Sequence, residues 1–320
     1  MQRLHGILLI LFLSLLHIPL FGQSNPHNTL HDALALENEG SFETAAQMAK
    51  VAIDSGKLAG VELGRAYIVL GVACQGAGKL TEAQIAFEHS LRILKQDSQH
   101  IEDYAAALEN YAGFFSDLEQ YEMAGPIWRK SLHLRQQLGD HTGAMLCLTH
   151  LAGLALAQKK THRAREFLEK ASEEMAVAHD LLDGDVALFF ETKGWLTLSE
   201  GHVSAAVTSY ARALELCSRT HGEKHWLTGW EFVLLGKALT QAGDLNRGLD
   251  DMRKGLGILD QAVGRNNPRF FMADLAYSRV LDRLGLQAEA TQQRMAAEQA
   301  RTEYYSHQCM GCTIPVSALQ

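Results

Sequence analysis

The stretch that decides the fold spans residues 64–97 and reads GRAYIVLGVACQGAGKLTEAQIAFEHSLRILKQD. Ala66, Leu70 and Cys74 recur in its first half at helical spacing, which predicts a helix with one apolar stripe. Gly78 then supplies the left-handed backbone that ends such a helix, and a second apolar helical pattern follows it. The stretch therefore predicts a hairpin of two helices.

This hairpin is one of seven, because three small residues recur along the chain at fixed internal offsets of twelve and seven residues. Successive triplets begin 38, 41, 40, 42, 42 and 42 residues apart. The triplets are Ala33/Ala45/Ala52, Gly71/Ala83/Ser90, Ala112/Ala124/Ser131, Ala152/Ala164/Ala171, Gly194/Ala206/Ala213, Gly236/Gly248/Gly255 and Ser278/Ala290/Ala297. A period of this length is typical of stacked helical hairpins, whose helices need small side chains where they cross closely.

Two further positions of the repeat are regular. The turn glycine recurs as Gly40, Gly78, Gly201, Gly243 and Gly285, and two units carry Glu119 and Lys159 instead. A large residue follows in the second helix as Phe87, Trp128, Leu168, Tyr210 and Met252. With the triplets, this pattern resembles the tetratricopeptide repeat over residues 27–300, in the long variety of kinesin light chains and many bacterial exported proteins. The resemblance implies an all-α, right-handed superhelical solenoid of about seven hairpins.

Composition and the first residues constrain where the chain works. A hydrophobic content of 47% suits a folded domain, and a net charge of −8 argues against an electrostatic nucleic-acid binder. Residues 1–23 combine Arg3 with an apolar run that is shorter than the roughly 20 residues of a membrane span. This pattern predicts a signal peptide and an exported protein, periplasmic or secreted. The alternative is an uncleaved N-terminal anchor, and no later run predicts a span in the mature chain.

The C-terminal tail, residues 301–320, contains the one cysteine motif, Cys309-x-x-Cys312. In an oxidising compartment this pair is a candidate disulfide. A metal site shared with His307 is an alternative, although the second cysteine pair of a zinc ribbon is absent. No nucleophile elbow, phosphate loop, dinucleotide fingerprint or zinc-protease motif occurs. We therefore expect no catalytic residues, no metal ligands, no cofactor and no enzymatic activity.

The resemblance also implies where a partner would bind, because the first helices of such hairpins line a concave groove. Carried over one repeat at a time, its exposed positions include Arg65, Asn110, His150, Glu191, Trp195, Lys237 and Arg279. Trp195 is the expected anchor, since large aromatic residues dominate binding energy. The predicted function is a non-catalytic scaffold that binds a peptide or a partner helix. The alternatives are a self-assembly module that forms homo-oligomers, and an accessory redox or metal role of Cys309 and Cys312.

Overall fold

The computed structural model describes residues 25–306, which form fourteen α-helices and no strands. The helices are α1 (Pro26–Asn38), α2 (Phe42–Asp54), α3 (Gly60–Gly76), α4 (Leu80–Leu94), α5 (Ile101–Asp117), α6 (Tyr121–Leu138), α7 (His141–Ala157), α8 (Thr161–Val177), α9 (Asp183–Ser199), α10 (Val203–His221), α11 (Trp226–Ala242), α12 (Leu245–Ala262), α13 (Pro268–Arg283) and α14 (Gln287–Ser306). Each odd-numbered helix pairs with the next one, and each pair packs on its neighbour. The predicted all-α solenoid of seven hairpins is confirmed.

The small residues explain how closely the paired helices approach. All 21 members of the seven triplets are buried, the first of each triplet on the first helix and the other two on the second. A Cβ atom added at Gly71 would lie 2.6 Å from the ring of Phe87, and one added at Gly194 would lie 2.8 Å from the ring of Tyr210. In these two hairpins the large residue therefore occupies the space that the missing side chain leaves on the facing helix.

The turns inside the hairpins require a left-handed backbone, whichever residue occupies them. The five turn glycines have φ angles between 74° and 94°. Glu119 and Lys159, which replace glycine in two units, adopt the same conformation with φ angles of 57° and 59°. A residue with a Cβ atom is strained in this conformation, so Glu119 and Lys159 each carry an unfavourable backbone conformational energy that glycine would remove.

Lys159→Gly is therefore expected to stabilise the protein by about 0.5–1 kcal/mol. Relief of about 1–2 kcal/mol of left-handed strain exceeds the added entropy of a glycine in the unfolded chain. Urea unfolding followed by circular dichroism measures the change. Lys170→Gly is the matched control, because Lys170 is an exposed residue inside α8 and should lose about 1 kcal/mol there. A loss of stability in both variants would contradict the argument.

The last hairpin of the solenoid meets the second and third hairpins along a seam, which the repeat pattern does not predict. Tyr304 OH donates to Gln75 O over 3.1 Å and Tyr305 OH to Asp117 O over 2.9 Å. One side of the seam is formed by Arg301, Tyr304 and Tyr305 on α14. The other side lies at the ends of α3 and α5 and is formed by Gln75, Asp117 and Glu119. These contacts close the superhelix into one complete turn. They also account for α14 continuing to Ser306, six residues past the predicted end of the repeats.

Candidate functional site

The inner wall of the superhelix is formed by the first helices of the hairpins. Consecutive first helices contact each other directly in the pairs α1–α3, α3–α5, α7–α9 and α11–α13. Among the described residues, consecutive second helices make at most marginal contacts, so the stack curves toward the first helices. Gly113 and Gly153 lie on the first helices α5 and α7, and a Cβ atom added at either would meet no atom within 4 Å. The wall therefore borders open space that another chain can enter.

Two predicted groove residues already form hydrogen bonds within the free protein. Arg65 donates to Asp103 of the next hairpin through two parallel hydrogen bonds, from Nε over 2.6 Å and from Nη2 over 2.8 Å. Asn110 Nδ2 donates to the carbonyl oxygen of Ala106, one turn earlier in its own helix, over 2.9 Å. Arg65 therefore joins two stacked hairpins, and both side chains use part of their hydrogen-bonding capacity within the free protein.

His150 is also on the inner wall, stacked on Trp128 with 4.2 Å between ring centroids. Burial, with a smaller contribution from the positive charge of Arg269, lowers the pKa of His150 to about 4. The imidazole is consequently neutral at physiological pH and presents a flat aromatic surface without charge. This geometry suits stacking or hydrogen bonding to a ligand, not ion pairing.

Trp195 is the largest apolar group exposed among the predicted groove residues, with 39% of its surface accessible. Its backbone carbonyl accepts a hydrogen bond from Ser199 Oγ, but no described residue bonds to its indole nitrogen. A half-exposed indole with a free donor can bury both its ring and its N–H against a partner. The role of Trp195 as an anchor stays a prediction, which the exposed ring and the unbonded indole nitrogen favour.

An acid–aromatic cluster, formed by Glu191, Trp230, Glu231 and Arg269, joins α9, α11 and α13. Trp230 Nε1 donates to Glu191 Oε1 over 3.1 Å, and the guanidinium carbon of Arg269 lies 4.9 Å from the centroid of the Trp230 ring. Glu231 is only 2% exposed, and its Oε2 has no partner among the described residues. Burial raises the pKa of Glu231 far above its ordinary value, and the adjacent Glu191 raises it further against the pull of Arg269. Burial and the adjacent Glu191 therefore favour the protonated, uncharged form of Glu231.

Glu231→Gln is expected to stabilise the protein more at pH 8 than at pH 5. The folded state holds the Glu231 proton more tightly than the unfolded chain, in which the pKa is near its ordinary value of 4.5. Parent stability therefore falls as the pH rises above 4.5, until the carboxyl ionises in the folded state. The advantage of the variant in urea unfolding should grow by about 1 kcal/mol or more toward pH 8. The same change at the exposed Glu169 is the matched control for the substitution itself, and a flat profile at Glu231 would disprove the assignment.

Three cations form a basic cluster at the end of the inner wall, namely Lys237 on α11 and Arg279 and Arg283 on α13. Lys237 and Arg279 occupy equivalent positions of adjacent repeats, 42 residues apart. Burial lowers the pKa of Lys237, and the charges of Arg279 and Arg283 lower it further. The sequence pattern indicated Arg279 and Lys237, and the structure brings them together on helices that contact each other.

The remaining reactive side chains of the described part are arranged for packing. Cys74, Cys147 and Cys217 are buried free thiols, and burial raises their pKa values, to about 11 for Cys74 and about 12 for Cys217. Thiols held in the protonated form are poor nucleophiles. Between residues 25 and 306, no three His, Cys, Asp or Glu side chains are grouped closely enough to hold a metal ion. Cys309 and Cys312 lie outside the described residues.

The sequence pattern missed Glu231 and Arg269 as members of these clusters. Glu231 falls at the third position of its repeat, which the groove pattern does not include, and Arg269 precedes the repeat itself. A detectable signal was the acidic side chain of Glu231 in the helix WLTGWEFVLLGKALTQA, whose one other charged residue is Lys237. Within the described part of the chain, no helix has the length and apolar character that crossing a membrane requires.

Comparison with known proteins agrees with this architecture. Residues 103–173 match the family model of the tetratricopeptide repeat, whereas no curated protein matches the chain. The fold is similar to the Rap conjugation gene regulator of the plasmid pLS20 in complex with the Phr* peptide, with a TM-score of 0.73 and 11% identity over 90% of this chain and 77% of that one. It is also similar to aspartyl phosphate phosphatase F from Bacillus subtilis, with a TM-score of 0.64 and 10% identity over 91% and 72% of the two chains.

A third structure, a Rap protein complexed with competence and sporulation factor, gives a TM-score of 0.57 and 10% identity over 88% of this chain and 99% of that one. Identities of 10–11% establish a shared fold and nothing finer.

Proposed function

We propose that the chain, whose residues 103–173 match the tetratricopeptide-repeat family model, is a non-catalytic scaffold whose inner wall binds a peptide or a partner helix. The observation that carries the proposal is that this wall has, in the described part of the chain, an exposed aromatic side chain and cations without a counter-ion. Trp195 exposes 39% of its surface there, and the basic cluster has no counter-ion among the described residues. Surfaces of this kind, an aromatic anchor beside unpaired charges, are typical of recognition sites.

The solved structures with the same fold support this proposal. Two of the similar Rap structures are complexes, one with the Phr* peptide and one with competence and sporulation factor. A curved helical wall can hold an extended chain or a helix, because both present side chains at regular spacing to the helices that line it. We infer that Trp195 inserts between side chains of the ligand, and that neutral His150 offers a second flat surface.

The scaffold assignment leaves no step of bond making to the chain. The described thiols are kept protonated, and the buried carboxyl of Glu231 is closed off from solvent. One structure of the same fold is called a phosphatase, so the purified chain should be assayed for hydrolysis of phosphorylated proteins. Turnover that survives removal of contaminating phosphatases would overturn the non-catalytic assignment.

The experiment that tests the groove is peptide selection followed by matched alanine variants. A random dodecapeptide library is panned on the purified chain, and the selected peptides are titrated by fluorescence anisotropy. Trp195→Ala should weaken binding by about thirtyfold, the loss of one dominant anchor. Ile85→Ala is the control, because Ile85 is 46% exposed on a second helix, α4. Equal effects of both changes, or peptides that bind without regard to either, would place the binding surface elsewhere.

We further propose that the protein works outside the cytoplasm, in the periplasm or as a secreted protein. Support comes from the basic start and short apolar run of residues 1–23, which lie outside the described part. A fusion of these residues to a phosphatase that is active only after export tests the proposal. N-terminal sequencing of the mature chain then distinguishes a cleaved signal from an anchor, and an inactive fusion would overturn the proposed compartment.

A further inference from the structure

The basic cluster of Lys237, Arg279 and Arg283 is built into two adjacent first helices. Lys237 is half-buried on α11, and both arginines are exposed on α13, one turn apart. α11 and α13 contact each other directly, so the three charges share one stretch of the inner wall. Their mutual effect is visible at Lys237, whose pKa falls partly because Arg279 and Arg283 are close.

No anion of the described chain neutralises these charges. Neither Lys237 nor the two arginines forms an ion pair or donates a side-chain hydrogen bond among residues 25–306. The nearest exposed carboxylate in sequence, Asp282, pairs with Arg294 over 2.7 Å. Like charges held together without a counter-ion destabilise a fold. The cluster therefore brings no stability to the free protein, which is the condition expected of groups that are neutralised by a ligand.

We propose that this cluster binds an acidic segment of a protein partner, with carboxylate side chains of the partner pairing with Lys237, Arg279 and Arg283. The inference rests on the proposed function and adds the chemistry of the partner to it. Arginine suits the role because its planar guanidinium donates two parallel hydrogen bonds to a carboxylate. The half-buried Lys237 adds a charge whose partial desolvation strengthens the pairing.

The rest of the inner wall favours a peptide over a nucleic acid. Glu191 presents its carboxylate beside Trp230. The carboxylate of Asp117 accepts a hydrogen bond from Gln75 Nε2 over 2.7 Å and lies near Arg269. A nucleic acid carries one negative charge at every nucleotide, so its backbone would meet these acids as soon as it left the basic cluster. A peptide can place its acidic residues over the cluster and neutral or aromatic residues beside Trp195. The net charge of −8 also works against a uniform polyanion.

The test uses a fluorescein-labelled decapeptide rich in glutamate, its glutamine counterpart and a ten-residue oligothymidylate. In 50 mM salt we expect the glutamate peptide to bind at least about tenfold more tightly than the glutamine peptide. The double variant Lys237→Gln/Arg279→Gln should remove about tenfold or more of that affinity. The control Arg92→Gln/Lys170→Gln removes the same net charge from exposed positions of the second helices α4 and α8, and should change the affinity less than twofold.

A stability measurement separates binding from a structural role. Because the cluster forms no ion pair in the described chain, Lys237→Gln/Arg279→Gln should melt at or above the parent temperature. Equal losses of affinity in the cluster and control variants would show general attraction and overturn the proposal, as would tighter binding of the oligothymidylate through the same residues. The library selection distinguishes the two levels. Groove-binding peptides without Asp or Glu would refute the acidic partner and leave the scaffold intact, whereas no groove-dependent peptide would refute both.

Discussion

Replacing Gly255 by leucine is expected to cost about 3 kcal/mol or more of unfolding free energy, at the upper end of what overpacking costs. Gly255 lies where α12 crosses α11, and an added Cβ atom would contact the carbonyl oxygen of Gly229 and lie 2.7 Å from Val233 Cγ2. The obstacle is partly the backbone of the facing helix, which has no rotamer to change. A side chain at this position must push the two helices of the sixth hairpin apart.

The control for this change lies two residues further along the same helix. Gly257 is exposed, and an added Cβ atom would meet nothing within 4 Å. Gly257→Leu should therefore stabilise α12 by roughly 0.5–1 kcal/mol through helix propensity alone. Urea unfolding of both variants, followed by circular dichroism, gives the comparison. Similar midpoints for the two leucine variants would mean that the helices are not held together at the small-residue positions.

The contrast between these two glycines explains why the fold could be predicted from the sequence. Close helix crossing is a local requirement that recurs in every hairpin, so it marks the chain with a small residue at the same three positions each time. The left-handed turns are equally local, and the structure gives Glu119 and Lys159 the backbone angles of the glycines they replace. Helix pairing and order follow from these two requirements together.

The binding wall could be predicted only in part, because the pattern gives the direction of a side chain and not its partners. It places Trp195, Lys237 and Arg279 on the first helices, where the structure also has them. It cannot reveal that Arg65 is bound to Asp103, since that bond depends on the stacking of two hairpins. The burial of Glu231 depends in the same way on three neighbouring helices.

The seam depends on a property that no single repeat contains. Each hairpin is rotated slightly against the previous one, and the curvature of a solenoid is the sum of these small rotations. Whether α14 reaches the turns after α3 and α5 is therefore decided over five and four successive hairpin interfaces, respectively. Residues 229 and 188 positions apart then become hydrogen-bond partners, as Tyr304 does with Gln75 and Tyr305 with Asp117. Such a contact has no period and so leaves no repeated mark in the sequence.

Tyr304→Ala/Tyr305→Ala is expected to open the superhelix while leaving most of the helices formed. Tyr304 is 5% exposed and packs edge-on against Phe271, so its truncation should cost about 3–5 kcal/mol. Hairpins in a solenoid are held mainly by their immediate neighbours, and these interfaces remain. The variant should therefore keep its far-ultraviolet circular dichroism, melt at a lower temperature and show a larger radius of gyration in X-ray scattering.

The matched control is Tyr304→Phe/Tyr305→Phe, which keeps both rings and removes only the hydrogen bonds to Gln75 O and Asp117 O. Each lost bond should cost about 0.5–1.5 kcal/mol, so the closed shape should persist with a smaller drop in melting temperature. An unchanged radius of gyration in the alanine variant would mean that stacking alone sets the curvature. An expanded shape in the phenylalanine variant would instead assign the closure to the two hydroxyl groups. We expect the radius of gyration to increase in the alanine variant alone. That result would assign the closure of the superhelix to the packing of the two rings, which join the last hairpin to the second and third.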